Sequence, residues 1–294
     1  MHILHVVGAR PNLMKVAPVM SALKQYSRFR QTLIHTGQHY DTNMSDVFFQ
    51  QLEIPVPDMN LGVGSGSHAR QTAEIMTRFE PIILERKPDL VLVYGDVNST
   101  VAAALVCAKL LVRVGHVEAG LRSFDRAMPE EINRLVTDQL ADLLFTPSED
   151  GDRNLAREGI AANKVHLVGN VMIDSLVRLL PAAMKQRLNG LPDRYVLVTL
   201  HRPANVDDDH NLKILLQSLL EVNSQLKVVF PVHPRTRQRI ADFELDATQL
   251  DLRELPLRTM QQVAADDGAC SSPSFTAGRN VVRPANPKVK RENW

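Results

Sequence analysis

Cysteine is nearly absent from this chain. Cys107 and Cys270 are the only two in 294 residues, they lie far apart, and no other ligand stands near them at metal-binding spacing. A disulfide scaffold and a structural zinc site are both excluded, and a reducing, cytoplasmic setting follows. No long hydrophobic run exists either. The most apolar stretch, VAAALVCAKLLVRVG, is interrupted by Lys109 and Arg113 well short of the roughly 20 residues a membrane helix needs. An excess of either charge is also missing: 34 Lys and Arg stand against 33 Asp and Glu, a balance of +1. This leaves no broad field for nucleic acid or an acidic membrane, so basic residues that bind an anion must act locally. The opening MHILHVVGARP has no basic n-region and no long apolar h-region, and reads as a first strand rather than a signal peptide. There are no short-period repeats.

What is present is a regular alternation. The runs ILHVV, TLIHT, LVLVY, VRVGHV, LLFT and VHLVG, then YVLVTL and KVVFPV, are separated by helical patterns. This order predicts βαβ units, hence an α/β protein with parallel sheets. Most of the runs are continuously apolar, as strands covered on both faces require. A helix is predicted from Ser99 to Leu111 with Ser99 as N-cap, and another from Pro129 to Leu140 with proline at its first position. At 294 residues two lobes are expected, with the boundary near residue 170: residues 1–170, then 171–294. A helix over Asp174 to Arg187 either bridges the lobes or opens the second one, and a fresh strand begins at Tyr195. The tail, 257–294, has scattered Pro, Ser and Gly without period and reads as irregular.

Open parallel sheets bind ligands outside the carboxyl ends of their strands, so the residues following each strand are the candidates. They are Gly8, Arg10 and Lys15; Gln38 and His39; Asp96; Glu118; His201 and Arg202; His233 and Arg235. GARPNLMK reads either as a plain strand-to-helix turn or as an anion site at a helix N-terminus, with Pro18 in the first turn. LGVGSGSHAR has the glycines of a phosphate loop without its spacing; it reads as a loop before a helix near Ser67, and only Arg70 is retained. Asp96 could assist a cap that Ser99 already provides, and that redundancy favours a functional role. His116, inside a strand, reads as a satisfied core histidine. Asp207, Asp208 and Asp209 read as a helix start. On the Pro129 helix the stripe Ile132, Leu135, Val136 and Leu140 is expected to face the core. That places Glu130 opposite, paired with Arg134 in solvent, and leaves Glu131 on the flank facing a cleft. Carboxylates and a histidine beside an anion site suit proton transfer on a phosphorylated or nucleotide-linked substrate, including inversion of a stereocentre.

GARPNLMKVAP, TGQHYD, KPDLVLVYGDVNST, HVEAGLRS, MPEEINR, EGI…VGNVMIDSL, TLHRPAN and VHPRTR occur in this order over residues 1–256. In that order and spacing they resemble the non-hydrolysing UDP-N-acetylglucosamine 2-epimerase family. The resemblance implies two Rossmann-like lobes of glycosyltransferase-B type with the active site between them, no cofactor, and a homodimer. It implies interconversion of UDP-GlcNAc and UDP-ManNAc. The C2 proton is lost with elimination of UDP to a 2-acetamidoglucal, and UDP adds back with a proton delivered to the other face. It carries Arg10, Lys15, Arg202 and His233 onto substrate contacts, and Asp96, Glu118, Glu131 and His201 onto the catalytic set, with Asp96 and Glu131 as acid and base. Gln38 and Arg70, with Arg202 and His233, match a second, allosteric UDP-GlcNAc site. The chain departs from the pattern in three places. TGQHYD replaces a TAQHR-like form, and Asn12 replaces the glutamate of a GTRPE-type loop. After ELPL no TDSGG turn or QEE helix follows, Ser271 and Ser272 alone standing near the expected turn. An incomplete second lobe is therefore expected, and the competing readings are a UDP-sugar glycosyltransferase of the same fold and a catalytically impaired remnant.

Overall fold

The computed structural model describes residues 1–38, 49, 51–185, 190–200 and 203–254. Its centre is a seven-stranded, all-parallel sheet. The strands are β1 (His2–Val7), β2 (Arg30–His35), β3 (Met59–Asn60), β4 (Leu90–Tyr94), β5 (Val114–Val117), β6 (Leu143–Thr146) and β7 (Val165–Leu167), in the spatial order β3-β2-β1-β4-β5-β6-β7. The chain builds outward from β1 in one direction, then returns to place β4 on its other side. The reversal between β1 and β4 opens a crevice at their carboxyl ends, where ligands of such sheets bind.

Alternation along the central strands divides the core in two. Leu4, Val6, Val91 and Val93 pack on one face with Phe79 and Ala103, while Ile3, Val7, Leu90, Leu92 and Tyr94 pack on the other with Leu13 and Val16. Because successive side chains point to opposite faces, a strand buried on both can be apolar throughout, as β4 is; β1, also buried along its whole length, includes His2 and His5. The helices of this sheet are α1 (Arg10–Lys24), α2 (His68–Arg86), α3 (Asn98–Lys109), α4 (Pro129–Leu140) and α5 (Glu149–Arg157), with a 3-10 turn at Ala162–Lys164. Ala102, Ala103 and Ala104 of α3 are fully buried, and their small side chains let α3 lie against both α2 and α4.

Next comes α6 (Val171–Lys185), which packs on α1 with the Ser175 hydroxyl donating to the Met14 carbonyl at 2.5 Å. A second, three-stranded parallel sheet follows: β8 (Val196–Leu197), β9 (Val228–Val232) and β10 (Asp251–Glu254), in the order β10-β9-β8. Its helices are α7 (Pro203–Val206), α8 (Asp209–Gln225) and α9 (Pro234–Asp242), over a core of Leu212, Leu216, Val228 and Phe230. Asp208 caps α8 by accepting from the Asn211 amide at 2.8 Å, as the acidic cluster predicts, while Asp207 pairs with Arg235.

Several expectations need correcting. Pro18 lies in the middle of α1, not in its first turn. The helix α3 starts at Asn98 and ends at Lys109, with Val97 rather than Ser99 at the N-cap. The strands β3 and β10 were not legible, and α6 begins earlier than Asp174. The expected core stripe of α4 is not its buried face: Ile132 is exposed, whereas Glu131, Thr137 and Asp138 are buried. The divergent tail lies outside the described residues. Among those residues no helix is long and apolar enough to cross a membrane.

Candidate active site

The turn from β1 into α1 closes on itself. The Gly8 and Ala9 backbone amides both donate to Asn12 Oδ1 at 3.0 Å, and Asn12 Nδ2 donates to the Tyr94 carbonyl at 2.7 Å. Asn12 therefore uses the donors that an anion would need and ties α1 to β4. Arg10 is exposed at the first position of the helix, while Lys15 is buried and ion-paired with Glu118. Glu118 adopts the left-handed region at φ 77, just past β5. Gly95 lies against this pair at φ 63. A Cβ there would meet Lys15 Nζ at 2.6 Å and Glu118 Oε2 at 3.3 Å, so any other residue would be strained in its backbone and would displace the Lys15 ammonium.

The turn from β4 into α3 is capped from elsewhere in the chain. Both the Ser99 amide (3.0 Å) and its hydroxyl (2.7 Å) donate to Gln38 Oε1, and that hydroxyl also meets Thr36 Oγ1 at 2.7 Å. Gln38 thus serves as the cap expected of Ser99, and its own carbonyl is held by Gln71 at 3.1 Å. Asp96 accepts from Arg134 Nη2 at 2.5 Å, and its carbonyl accepts from the Asn133 amide at 2.8 Å.

The roles of the two adjacent glutamates exchange. Glu131, 2% exposed, turns inward to accept from the Ser123 amide at 3.0 Å, the Phe124 amide at 3.1 Å and Arg134 at 2.8 Å. Burial disfavours its charge, but those donors outweigh burial and hold its carboxyl below the usual range. Arg134 bridges Glu131 and Asp96, not Glu130. Glu130 instead lines a polar cavity of about 350 Å³ together with Asp96, Gln38, His68, Asn98 and Asn133.

Behind this cavity lies a buried ion network. His116 meets Asp138 Oδ1 through Nδ1 at 2.6 Å and the Gly95 carbonyl through Nε2 at 2.8 Å. Asp138 Oδ2 accepts from the Gly120 amide at 3.0 Å and pairs with Arg122 at 2.7 Å, and Arg122 also holds Glu158. Burial raises the carboxyl of Asp138, yet His116 and Arg122 outweigh it and depress the pKa.

Among the expected site residues, Asp96 and Glu131 are joined through Arg134, and Glu118 with Lys15 stands beside the Gly95 turn that leads to Asp96. Gln38 is buried beneath α3, and Arg70 is exposed on α2, where its amide donates to the capping Ser67 hydroxyl at 3.3 Å. His233 caps α9 beside the second sheet, accepting from the Arg235 amide at 3.2 Å. His201 and Arg202 lie outside the described residues. Sequence reasoning did not single out Glu130, Asn98 and Asn133, which line this cavity, or Arg134, which holds Asp96; the spacing of Glu131 and Arg134, three residues apart on one helix face, was the available signal. Among the described residues no group of three or more His, Cys, Asp or Glu is arranged to hold a metal ion.

A doubly wound parallel sheet with carboxylates, a buried lysine and amide side chains at the carboxyl edge of its switch point defines a Rossmann-like protein with a polar, charged cavity at that edge. The family model described as UDP-N-acetylglucosamine 2-epimerase matches residues 21–263, and the chain belongs to that family. A UDP-N-acetylglucosamine 2-epimerase homolog of Methanococcus maripaludis is 49% identical over 251 residues, 83% of this chain and 69% of that protein. The UDP-2,3-diacetamido-2,3-dideoxy-D-glucuronate 2-epimerase of Pseudomonas aeruginosa is 44% identical over 240 residues, 81% of this chain and 68% of that protein. The crystal structure of the Methanocaldococcus jannaschii UDP-GlcNAc 2-epimerase, in complex with UDP-GlcNAc and UDP, superposes with a TM-score of 0.78 at 41% identity, covering 86% of this chain and 73% of that one. The fold class is accordingly α/β with Rossmann-like lobes of glycosyltransferase-B type.

Proposed function

We propose that this chain is an isomerase that interconverts UDP-GlcNAc and UDP-ManNAc. The observation that carries the reading is the convergence of Asp96 and Glu130 on one polar cavity at the carboxyl edge of β4, bordered by the amide side chains of Gln38, Asn98 and Asn133. A carboxylate can take the C2 proton while the C1–O bond breaks; the C–H electron pair becomes the C1=C2 bond and UDP leaves with the C1–O pair. Return of UDP to C1 with delivery of a proton to the opposite face of C2 gives the epimer. In this reading Asp96 and Glu130 are the candidate acid and base, Glu130 replacing Glu131, which orients Arg134. Glu118 with Lys15 stands beside them, His201 completes the catalytic set, and Arg10, Arg202 and His233 bind the substrate. Gln38 and Arg70 border a second sugar-nucleotide site, no cofactor is needed, and the lobes divide near residue 170. The protein works as a cytoplasmic homodimer, which light scattering of the purified chain tests.

Incubation with UDP-GlcNAc in deuterated water is expected to place deuterium at C2 and to yield UDP-ManNAc. Well-folded protein that gives neither exchange nor product would overturn the proposal. The 44% identical relative acting on a diacetamido uronate favours a second reading, in which the preferred sugar carries a further acetamido or carboxyl group. A panel of UDP-sugars compared by kcat/KM separates the two.

A further inference from the structure

The ring of His116 is fully buried, and both of its nitrogens face oxygens: Asp138 Oδ1 at 2.6 Å and the Gly95 carbonyl at 2.8 Å. A carbonyl can only accept, and so can an ionised carboxylate, whereas a neutral imidazole has one N–H to donate. Neutral His116 would press a lone pair against one of the two oxygens. The other arrangement, a proton resting on Asp138, is opposed by what surrounds that carboxylate. Its second oxygen already accepts from the Gly120 amide and the Arg122 guanidinium, donors that favour the ionised form.

The two backbone groups at the ends of this network belong to the two turns that matter. Gly95 immediately precedes Asp96, and its own amide donates to the Val117 carbonyl at 3.0 Å. Gly120 follows Glu118 by two residues at φ 80, with no room for a Cβ, which would lie 2.6 Å from the Gly151 carbonyl oxygen. We propose that Asp138 and a doubly protonated His116 are positioning residues, a buried carboxylate–imidazolium clamp that holds the Gly95 carbonyl and the Gly120 amide and so sets Asp96 and Glu118 in register for proton transfer. The activity part of this proposal rests on the epimerase reading above; the protonation part does not.

The test uses the full chain. Nitrogen NMR of the histidine rings, with His116 assigned by loss of its signals in His116→Gln, is expected to show both ring nitrogens protonated at neutral pH. Asp138→Asn is expected to fold and to bind, with KM for UDP-GlcNAc within about threefold and kcat lowered about 100-fold, the scale of a small misplacement of reacting groups. His116→Gln, which can donate to only one of the two oxygens from a single amide nitrogen, should behave alike. An unprotonated ring nitrogen in the parent protein overturns the clamp. So does a folded variant whose kcat stays within about threefold of the parent, and so does failure of both variants to fold, which would make the pair a fold element only. Absence of any epimerisation or C2 exchange by the parent protein defeats the epimerase reading instead, and the ring-nitrogen measurement then decides the clamp alone.

Discussion

Two ion networks in this molecule use the same residue types to opposite effect. Under the carboxyl edge of the seven-stranded sheet, Asp138 joins His116 and Arg122, with side chains at most 1% exposed. Beside the three-stranded sheet, Asp207 joins Arg235 and Arg239, with side chains 29 to 46% exposed. Removing charges from water is costly and is recovered only through close geometry and further hydrogen bonds, which the inner network has on almost every atom. The outer network stays solvated, and its attraction is screened and offset by side-chain ordering. The buried network is hydrogen-bonded to two backbone turns, at Gly95 and Gly120, whereas the exposed pair stays in water.

Asp138→Ala should break this contrast hardest, leaving His116 and Arg122 buried without their carboxylate and lowering unfolding free energy by about 3–5 kcal/mol in urea titration. Glu130→Gln should lower kcat by about 10²- to 10⁴-fold, the range for a lost acid or base, with the unfolding midpoint unchanged. Glu131→Gln should do the reverse in kind, destabilising by about 1–3 kcal/mol because the Ser123 and Phe124 amides and Arg134 lose a charged acceptor. Acid should act next. The folded-state pKa values of Asp138 and Glu131 lie below their ordinary values, so the unfolded chain takes up these protons first. Their contribution is complete above the ordinary carboxylate range near about pH 4 and is lost as pH falls through the depressed folded values. Thermal unfolding followed from neutral pH down to about pH 3 should show this fall, and it should be smaller in Glu131→Gln. Arg235→Gln should leave the melting temperature unchanged, because its partner Asp207 remains in water.

The placement of the candidate residues was legible where they follow a strand. Asp96 after β4 and Glu118 after β5 could be named from the end of an apolar run, because a parallel sheet delivers its ligand groups at that edge. The faces of α4 were misread because the stripe of Ile132, Leu135, Val136 and Leu140 obeys the rule for a helix on an apolar core. This helix instead lays Glu131 and Asp138 against a polar site, where such patterns fail. The capping role of Gln38 was not legible for a related reason. Its oxygen caps a helix 61 residues further along, and no local pattern carries that pairing. The strand β3, two residues long, exists through its pairing with β2.

By itself, then, the amino-acid order determined the α/β class, the succession of the main strands, the family and the positions from which the carboxylates leave the sheet. These are properties of hydrophobic period and of turn residues near in sequence. Tertiary structure alone decided which of Glu130 and Glu131 faces the cavity, that Lys15 answers Glu118, and that Asp138 reaches through His116 to Gly95. Each of those depends on which buried donor meets which acceptor once distant turns are brought within 3 Å, and in a low-dielectric interior a buried charge must find its partner wherever the fold places it.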